Sequence, residues 1–177
     1  MKISRFKSLS GKLYPVMVAL LFSTAGISQI SKSGNMQIAS GSNASFFINA
    51  QNQLFAWGNN SSYQLPNVKS SRQYLPVRAI DHINKVASGE NHTLILKTDK
   101  SLWVIGNNEF GQLGTGDNDN KSVPYQIADG VVGIAAGSDF SFFIKADQSL
   151  WAMGKNSFGQ LGNGNEDHQN KPVKIME

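Results

Sequence analysis

The sequence predicts an all-β protein made of three copies of a four-stranded unit, arranged as blades of a β-propeller. The 177-residue chain matches itself at an offset of 48 residues, and a fixed period of this size indicates a repeat architecture. Each repeat contains four short apolar segments separated by turn residues, which favours β-strands over helices. The positions in register include Gly41, Gly89 and Gly137; Leu54, Leu102 and Leu150; and Pro76, Pro124 and Pro172.

The first 28 residues have the organisation of a secretory signal peptide. Four basic residues precede an uninterrupted apolar run at residues 16–22, and small residues then close the segment. The run is far shorter than the roughly 20 residues that span a bilayer, so we expect cleavage near Ser28 and no transmembrane anchor. A buried N-terminal strand or short helix is the alternative. The basic residues are Lys2, Arg5, Lys7 and Lys12.

The predicted domain organisation follows from the leader and the period. Residues 1–28 form the signal peptide, and residues 29–37 form a lead-in. The propeller repeats occupy residues 38–177, divided into 38–85, 86–133 and 134–177. The sequence therefore predicts a secreted or extracytoplasmic protein.

The charge balance argues against a nucleic-acid partner. Four of the 16 Lys and Arg residues lie in the leader, so 12 remain against 12 Asp and Glu. Because binding to a nucleic acid requires a basic patch that replaces condensed counterions, we predict no such partner. The chain has no cysteine, which excludes disulfides and cysteine-ligated metal sites.

The second repeat shows the strands most clearly. It predicts strands at residues 86–89, 93–96, 102–105 and 125–127, the last an edge strand with Pro124 at its start. The middle two strands are apolar on both faces, so each sheet must be covered on both sides. Sheets stacked radially around a channel satisfy this requirement, as in a β-propeller. A β-trefoil, which closes with three units, is the alternative fold.

Gly106 to Gly114 and Gly154 to Gly162 resemble the regulator of chromosome condensation repeat family in their shared pattern Gly-x-Asn-x-Phe-Gly-Gln-Leu-Gly. The resemblance continues in residues 87–94 and in Leu102-Trp103, and it covers residues 38–177. It implies a seven-bladed propeller, as in the best-known members. The family's nuclear member is an exchange factor for a small GTPase, but the leader and the balanced charge argue against that role here.

Three departures from the family pattern bear on closure and stability. The first repeat has Ser62-Tyr63-Gln64-Leu65-Pro66 in place of Phe-Gly-Gln-Leu-Gly. The turn after the second strand ends in Asn52, Lys100 and Gln148 where the family has glycine, which we expect to cost up to about 1 kcal/mol per turn. Three blades are fewer than the 4–8 that close a ring. We therefore expect that the chain continues into further blades as part of a longer protein, or that it self-associates.

The candidate catalytic and ligand-binding motifs all have a structural explanation. Gly114-Thr115-Gly116 resembles a nucleotide-binding loop, but no Gly-Lys-Ser/Thr follows it, so tight turns explain the glycines. Asp117 to Asn120 resembles the start of a calcium loop that lacks its later ligands. The spacing of the three histidines suggests no Ser-His-Asp set. We predict no catalytic residue, no cofactor and no metal ion.

The polar loops at residues 67–75, 115–123 and 163–171 differ most between the repeats, and loops on a rigid frame commonly carry binding sites. We predict a non-enzymatic scaffold that binds a protein partner through them. The alternatives are a secreted carbohydrate-binding protein, with sugars stacked on Trp103 and Trp151, and a hydrolase or lyase with its site in the channel. The candidate partner-binding residues are Arg72, Tyr74, Asp117, Asp119, Asp167 and His168.

Overall fold

The computed structural model describes residues 36–177, which form twelve β-strands and, within that range, no helix. The predicted signal peptide and all but the end of the lead-in lie outside the described residues. The strands are β1 (Gln37–Ser40), β2 (Ala44–Ile48), β3 (Leu54–Asn59), β4 (Arg72–Ile80), β5 (Ile83–Ser88), β6 (His92–Lys97), β7 (Leu102–Gly106), β8 (Lys121–Ala128), β9 (Val131–Ala136), β10 (Phe140–Lys145), β11 (Leu150–Gly154) and β12 (Gln169–Met176).

The strands form three four-stranded antiparallel sheets, which we call blade 1 (β1–β4), blade 2 (β5–β8) and blade 3 (β9–β12). Within each blade the strands pair in chain order, so every connection joins neighbouring strands. Equivalent residues pair alike: Leu94 lies opposite Val104 in blade 2, and Phe142 lies opposite Ala152 in blade 3. The first strands of successive blades contact one another, as the inner strands of propeller blades do. The trefoil alternative is therefore wrong.

The fourth strand of blade 2 is longer than the predicted residues 125–127. β8 begins at Lys121, so Pro124 lies inside the strand and not at its start. Proline is tolerated there because β8 pairs only with β7, which leaves its other edge free of ladder hydrogen bonds. The pairing of β7 with β8 also shifts register between Val104 and Gly106, which marks a bulge.

Coverage on both faces, which the sequence predicted for every blade, holds fully only for blade 2. Its strand β6 is buried at five consecutive residues from His92 to Leu96. One apolar cluster joins blade 1 to blade 2, and another joins blade 2 to blade 3. In β2 and β10 the burial alternates, because blades 1 and 3 each have a blade on one side only among the described residues.

Gly106 shows why a glycine ends the third strand of blades 2 and 3, and why Gly58 stands one residue before the end of the third strand of blade 1. Its φ is 113°, and a Cβ atom at this residue would lie 2.5 Å from the backbone oxygen of Asn91. Only glycine combines that backbone conformation with so close an approach. The glycine therefore sets the direction in which the chain leaves the sheet and enters the polar loop. None of the residues described forms a helix of the length and apolar character needed to span a membrane.

Candidate functional site

The predicted partner-binding loops follow the third strand of each blade, and a buried asparagine organises each one. In the loop of blade 2, Asn108 accepts a hydrogen bond from the amide of Leu113 (2.9 Å) and donates to the carbonyl oxygen of Asp117 (2.9 Å). Asn108 is fully buried, so these bonds replace the ones it would make with water. The same role falls to Asn60 in blade 1 and Asn156 in blade 3.

Sequence reasoning missed these asparagines as loop organisers. The signal was present, because the asparagine that ends each Gly-x-Asn segment recurs at the 48-residue offset. A polar residue that recurs in register, among neighbours that vary, indicates a buried hydrogen-bonding role.

Asp117 is held within its own loop. Its carboxylate accepts hydrogen bonds from the Thr115 hydroxyl (2.7 Å) and the Asp119 amide (3.1 Å), and it pairs with the Lys121 ammonium at 2.9 Å. The hydrogen bond from Lys121, followed by that from Thr115, lowers the pKa of Asp117 to about 2. Asp117 is therefore ionised at neutral pH, and its carboxylate oxygens accept hydrogen bonds from within the loop and from Lys121.

Asp119, Asp167 and His168 project from the loops into solvent. The Asp167 amide donates to the side-chain oxygen of Asn165 at 3.0 Å, and among residues 36–177 the Asp167 carboxylate takes part in no ion pair. His168 accepts a hydrogen bond at Nδ1 from the amide of Asn156 (3.0 Å), so in its neutral form it carries its proton on Nε2. That N–H is a donor available to a partner.

The loop of blade 2 lies beside the loop of blade 3. The Phe110 ring meets the His168 ring edge-on, with centroids 5.3 Å apart. The Gly116 amide donates to the Asn170 carbonyl oxygen at 2.8 Å, and the Asn118 and Asn170 side chains bond at 3.1 Å. The structure therefore brings the Asp117–Asp119 loop and His168 together on one surface.

Arg72 and Tyr74 lie in strand β4, not in a loop as the sequence predicted. The reason is that β4, like β8, starts early and pairs with the end of β3, where Arg72 lies opposite Asn59. Both side chains line a pocket of about 320 Å³ together with Asn59. Tyr74 is 82% exposed.

Residues 36–177 contain one Ser–His pair, which residue spacing did not suggest. His92 Nε2 lies 2.9 Å from the Ser141 hydroxyl, and that hydroxyl donates to the Gln112 carbonyl oxygen at 2.8 Å. The single hydroxyl proton is therefore used, and Nε2 must be the donor to Ser141. All three side chains are fully buried between blades 2 and 3, so no substrate could reach them.

The aromatic residues proposed for sugar stacking belong to the packing between blades. Trp151 stacks on buried Phe143 with parallel rings and centroids 6.0 Å apart, and Trp103 packs on the cluster between blades 1 and 2. Each indole N–H is bonded to a serine two residues earlier, at 2.8 Å. Within residues 36–177, no three His, Asp or Glu side chains are grouped so that they could hold a metal ion.

Solved structures with the same fold are propellers much longer than this chain. Human WBSCR16 matches 82% of the chain with a TM-score of 0.72 and 23% identity. Yeast RCC1 (Prp20), solved with Kap60, matches 80% with a TM-score of 0.71 and 25% identity. Prp20p of Saccharomyces cerevisiae, in a structure reported with its binding to Gsp1p and histones, matches 83% with a TM-score of 0.66 and 27% identity.

The chain spans about 40% of the length of these proteins: 41%, 37% and 40% in the same order. Together with the three four-stranded sheets, the matches confirm the predicted all-β propeller class. A comparison with curated protein sequences found no match.

The family models agree with the fold. The model of the regulator of chromosome condensation (RCC1) repeat matches residues 51–96, 99–144 and 147–177. A second model of the same repeat matches residues 37–64, 83–112 and 131–160. The resemblance stated from the sequence is thus confirmed, and the chain belongs to the regulator of chromosome condensation repeat family.

Proposed function

We propose that this chain is an exported, non-enzymatic scaffold that binds a protein partner through the loops after β7 and β11. The observation that carries the proposal is the pair of neighbouring loops, each held by a buried asparagine, which present Asp119, Asp167 and His168 to solvent. A surface on a fixed frame loses little conformational entropy when a partner binds, which favours affinity.

The solved relatives support a protein as the partner. The yeast structures were determined or reported with Kap60, Gsp1p and histones, all of which are proteins. Their partners do not transfer to this chain, because it spans only about 40% of their length. What supports the proposal is only that proteins with these repeats bind other proteins.

The charge of the loops indicates the chemistry of the partner. Asp119, Glu166 and Asp167 are exposed and take part in none of the ion pairs found among the described residues. Such carboxylates attract lysine and arginine side chains and speed association at low salt. We therefore expect a partner segment that is rich in basic residues.

Export is the part of the proposal that the N-terminal sequence supports. Secretion would remove residues 1–28 and leave a chain with balanced charge. Fractionation of the producing cells, followed by N-terminal sequencing of the mature protein, tests this directly. A mature protein that keeps Met1 and stays in the cytoplasm would contradict export.

The binding test uses the full chain on beads to capture proteins from the extracellular fluid of its source. The double variant Asp119→Asn/Asp167→Asn removes two loop charges but keeps the shape of the side chains. We expect the amount of captured partner to fall by at least about tenfold. The matched control is Asp129→Asn, an exposed aspartate at the far end of β8. Equal capture by the double variant, or specific capture by no form of the chain, would refute the proposal.

A further inference from the structure

The contact between consecutive blades is built in the same way twice within the chain. Between blades 1 and 2, the Thr93 hydroxyl donates to the Gln64 carbonyl oxygen at 2.9 Å. Between blades 2 and 3, the Ser141 hydroxyl donates to the Gln112 carbonyl oxygen at 2.8 Å. Both pairs are fully buried beside an apolar cluster. The two interfaces therefore share the same hydrogen bond and the same kind of apolar packing.

Blade 2 adds an aromatic contact to this interface. Phe110, in the loop after β7, lies on a surface formed by Lys155 and His168 of blade 3. The Lys155 ammonium is 4.7 Å from the centre of the Phe110 ring, and the His168 ring meets it edge-on. The neighbouring Gly111 lies against the backbone of Asn170.

Blade 3 presents the equivalent positions on its other side, where no described residue covers them. We call this surface the leading face; its residues are Phe140, Phe142, Ile144, Leu150 and Phe158. Ile144 is 42% exposed, whereas its counterpart Leu96 is 2% exposed. Phe158, the counterpart of Phe110, is 87% exposed. A pocket of about 380 Å³ lies on this face, lined by Phe142, Ile144 and Leu150 among others.

Blade 1 presents the matching half of the interface on its outer side. We call this surface the trailing face; its residues are Ile38, Ser45, Phe47, Trp57 and the pocket of Asn59, Arg72 and Tyr74. Ile38 is 85% exposed, whereas its counterpart Ile134 is 6% exposed. The pocket residues occupy the repeat positions of Lys155 and His168, which contact Phe110, and of Asn170, which lies against Gly111.

We propose that the leading face of one copy binds the trailing face of a second copy of this chain, head to tail. In this contact Phe158 occupies the pocket beside Arg72, which offers a cation to the ring as Lys155 does to Phe110. The Ser45 hydroxyl donates to the Gln160 carbonyl oxygen, as Ser141 donates to that of Gln112. This inference goes beyond the proposed partner binding, because it uses Phe158 of the loop after β11 but none of Asp119, Asp167 and His168.

The choice of a second copy follows from the repetition itself. The apolar positions of each open face, such as Ile38 and Ile144, also carry apolar residues at the two interfaces inside the chain. The position of Ser45 carries a hydroxyl residue at both of them. Contiguous apolar surface of this kind marks an interaction site. Because the contact is heterologous, two copies can satisfy both faces only by closing a ring. The three described blades of each copy make six in a pair, within the 4–8 of closed propellers.

The test measures the mass of the full chain by light scattering and sedimentation equilibrium, with one variant for each face. Phe158→Lys alters the leading face and Ile38→Lys alters the trailing face. Both side chains are more than four-fifths exposed, so neither change disturbs the fold of a single chain. We expect the unaltered chain to have twice the mass of one chain, and each variant alone to associate at least about tenfold more weakly.

Mixing the two variants is the decisive step. The mixture contains one intact leading face and one intact trailing face, so we expect a complex with one copy of each variant. Association through the N-terminal segment would respond to neither substitution and would not need mixing. A single-chain mass for the unaltered protein, variants that associate as it does, or a mixture that stays monomeric would each overturn the proposal. Circular dichroism of both variants checks that they are folded.

Discussion

At the scale of single residues, buried polar side chains form specific contacts between neighbouring blades. His92 is a histidine shut between two blades, with one nitrogen bonded to Ser141 and with no partner for Nδ1 among the described atoms. Burial lowers the pKa of His92 to about 4, because the charged imidazolium loses its hydration. The unfolded chain, with an ordinary histidine pKa near 6.5, takes up the proton more readily.

We predict that this histidine makes the protein lose stability as the pH falls from about 6.5 to about 4. In that range the unfolded state binds more protons than the folded state, so the free energy of unfolding decreases with falling pH. Above it His92 is neutral in both states, and below it the penalty is constant. The expected loss is on the order of 3 kcal/mol at 1.36 kcal/mol per pKa unit.

Urea unfolding at pH values from 7 to 4 measures this loss. In the variant His92→Gln the decrease should be largely absent, whereas His82→Gln, at an exposed histidine, should keep it. The loss due to the Asp117 carboxylate begins only below about pH 4, as the pH falls towards its folded pKa of about 2, so the two effects are separable. An unchanged pH profile for His92→Gln would show that another group is responsible.

At the scale of elements, the hairpin between the second and third strands has a residue other than glycine at a position with positive φ. Three-residue hairpin loops end in a residue with positive φ, where glycine is favoured. The structure confirms that Asn52, Lys100 and Gln148 occupy this position, with φ of 59°, 68° and 71°. The turn forms all the same, because the Lys100 amide donates to the Lys97 carbonyl oxygen at 3.0 Å and strands β6 and β7 hold its ends.

We predict that Lys100→Gly and Gln148→Gly each stabilise the protein by up to about 1 kcal/mol. Glycine removes the steric conflict of a Cβ atom at positive φ, and this gain outweighs the added freedom of the unfolded chain. The control Thr98→Gly changes a residue of the same turn that does not have positive φ, and it should give no gain. Thermal and urea unfolding measure the differences, and a loss of stability in both glycine variants would contradict the prediction.

At the scale of the whole molecule, the contribution of an apolar residue to stability depends on whether a neighbouring blade covers it. Blade 2 has a blade on each side and is buried on both faces, whereas blades 1 and 3 each expose one face within the described part of the chain. Leu96 and Ile144 occupy the same repeat position, but Leu96 is 2% and Ile144 is 42% exposed. The position of the blade, and not the residue type, therefore sets how much each side chain contributes to stability.

We predict that Leu96→Ala destabilises a single chain by about 2–5 kcal/mol, the range for a fully buried leucine. Ile144→Ala should cost about 1 kcal/mol or less in dilute solution, because water already reaches its side chain. If a second copy covers the leading face, the cost of Ile144→Ala should rise with protein concentration. Urea unfolding at two concentrations measures both effects, and equal costs for the two variants in dilute protein would contradict this account.

The sequence by itself determined the repeat, its four strands, its tight turns and the propeller class. All of these depend on residue type and on spacing along the chain, and three aligned copies reinforce each signal. The turn positions at Lys100 and Gln148 were readable for the same reason, because short-range backbone sterics decide them.

Only the tertiary structure decided which surfaces are covered. Equivalent residues such as Leu96 and Ile144 have the same local sequence setting, so their different burial depends on blades that are distant along the chain. The same holds for Arg72 and Tyr74, which pairing with β3 draws into strand β4, and for His92, whose bond to Ser141 spans 49 residues. Periodicity specifies what one blade contains, whereas contact between blades specifies what each side chain meets.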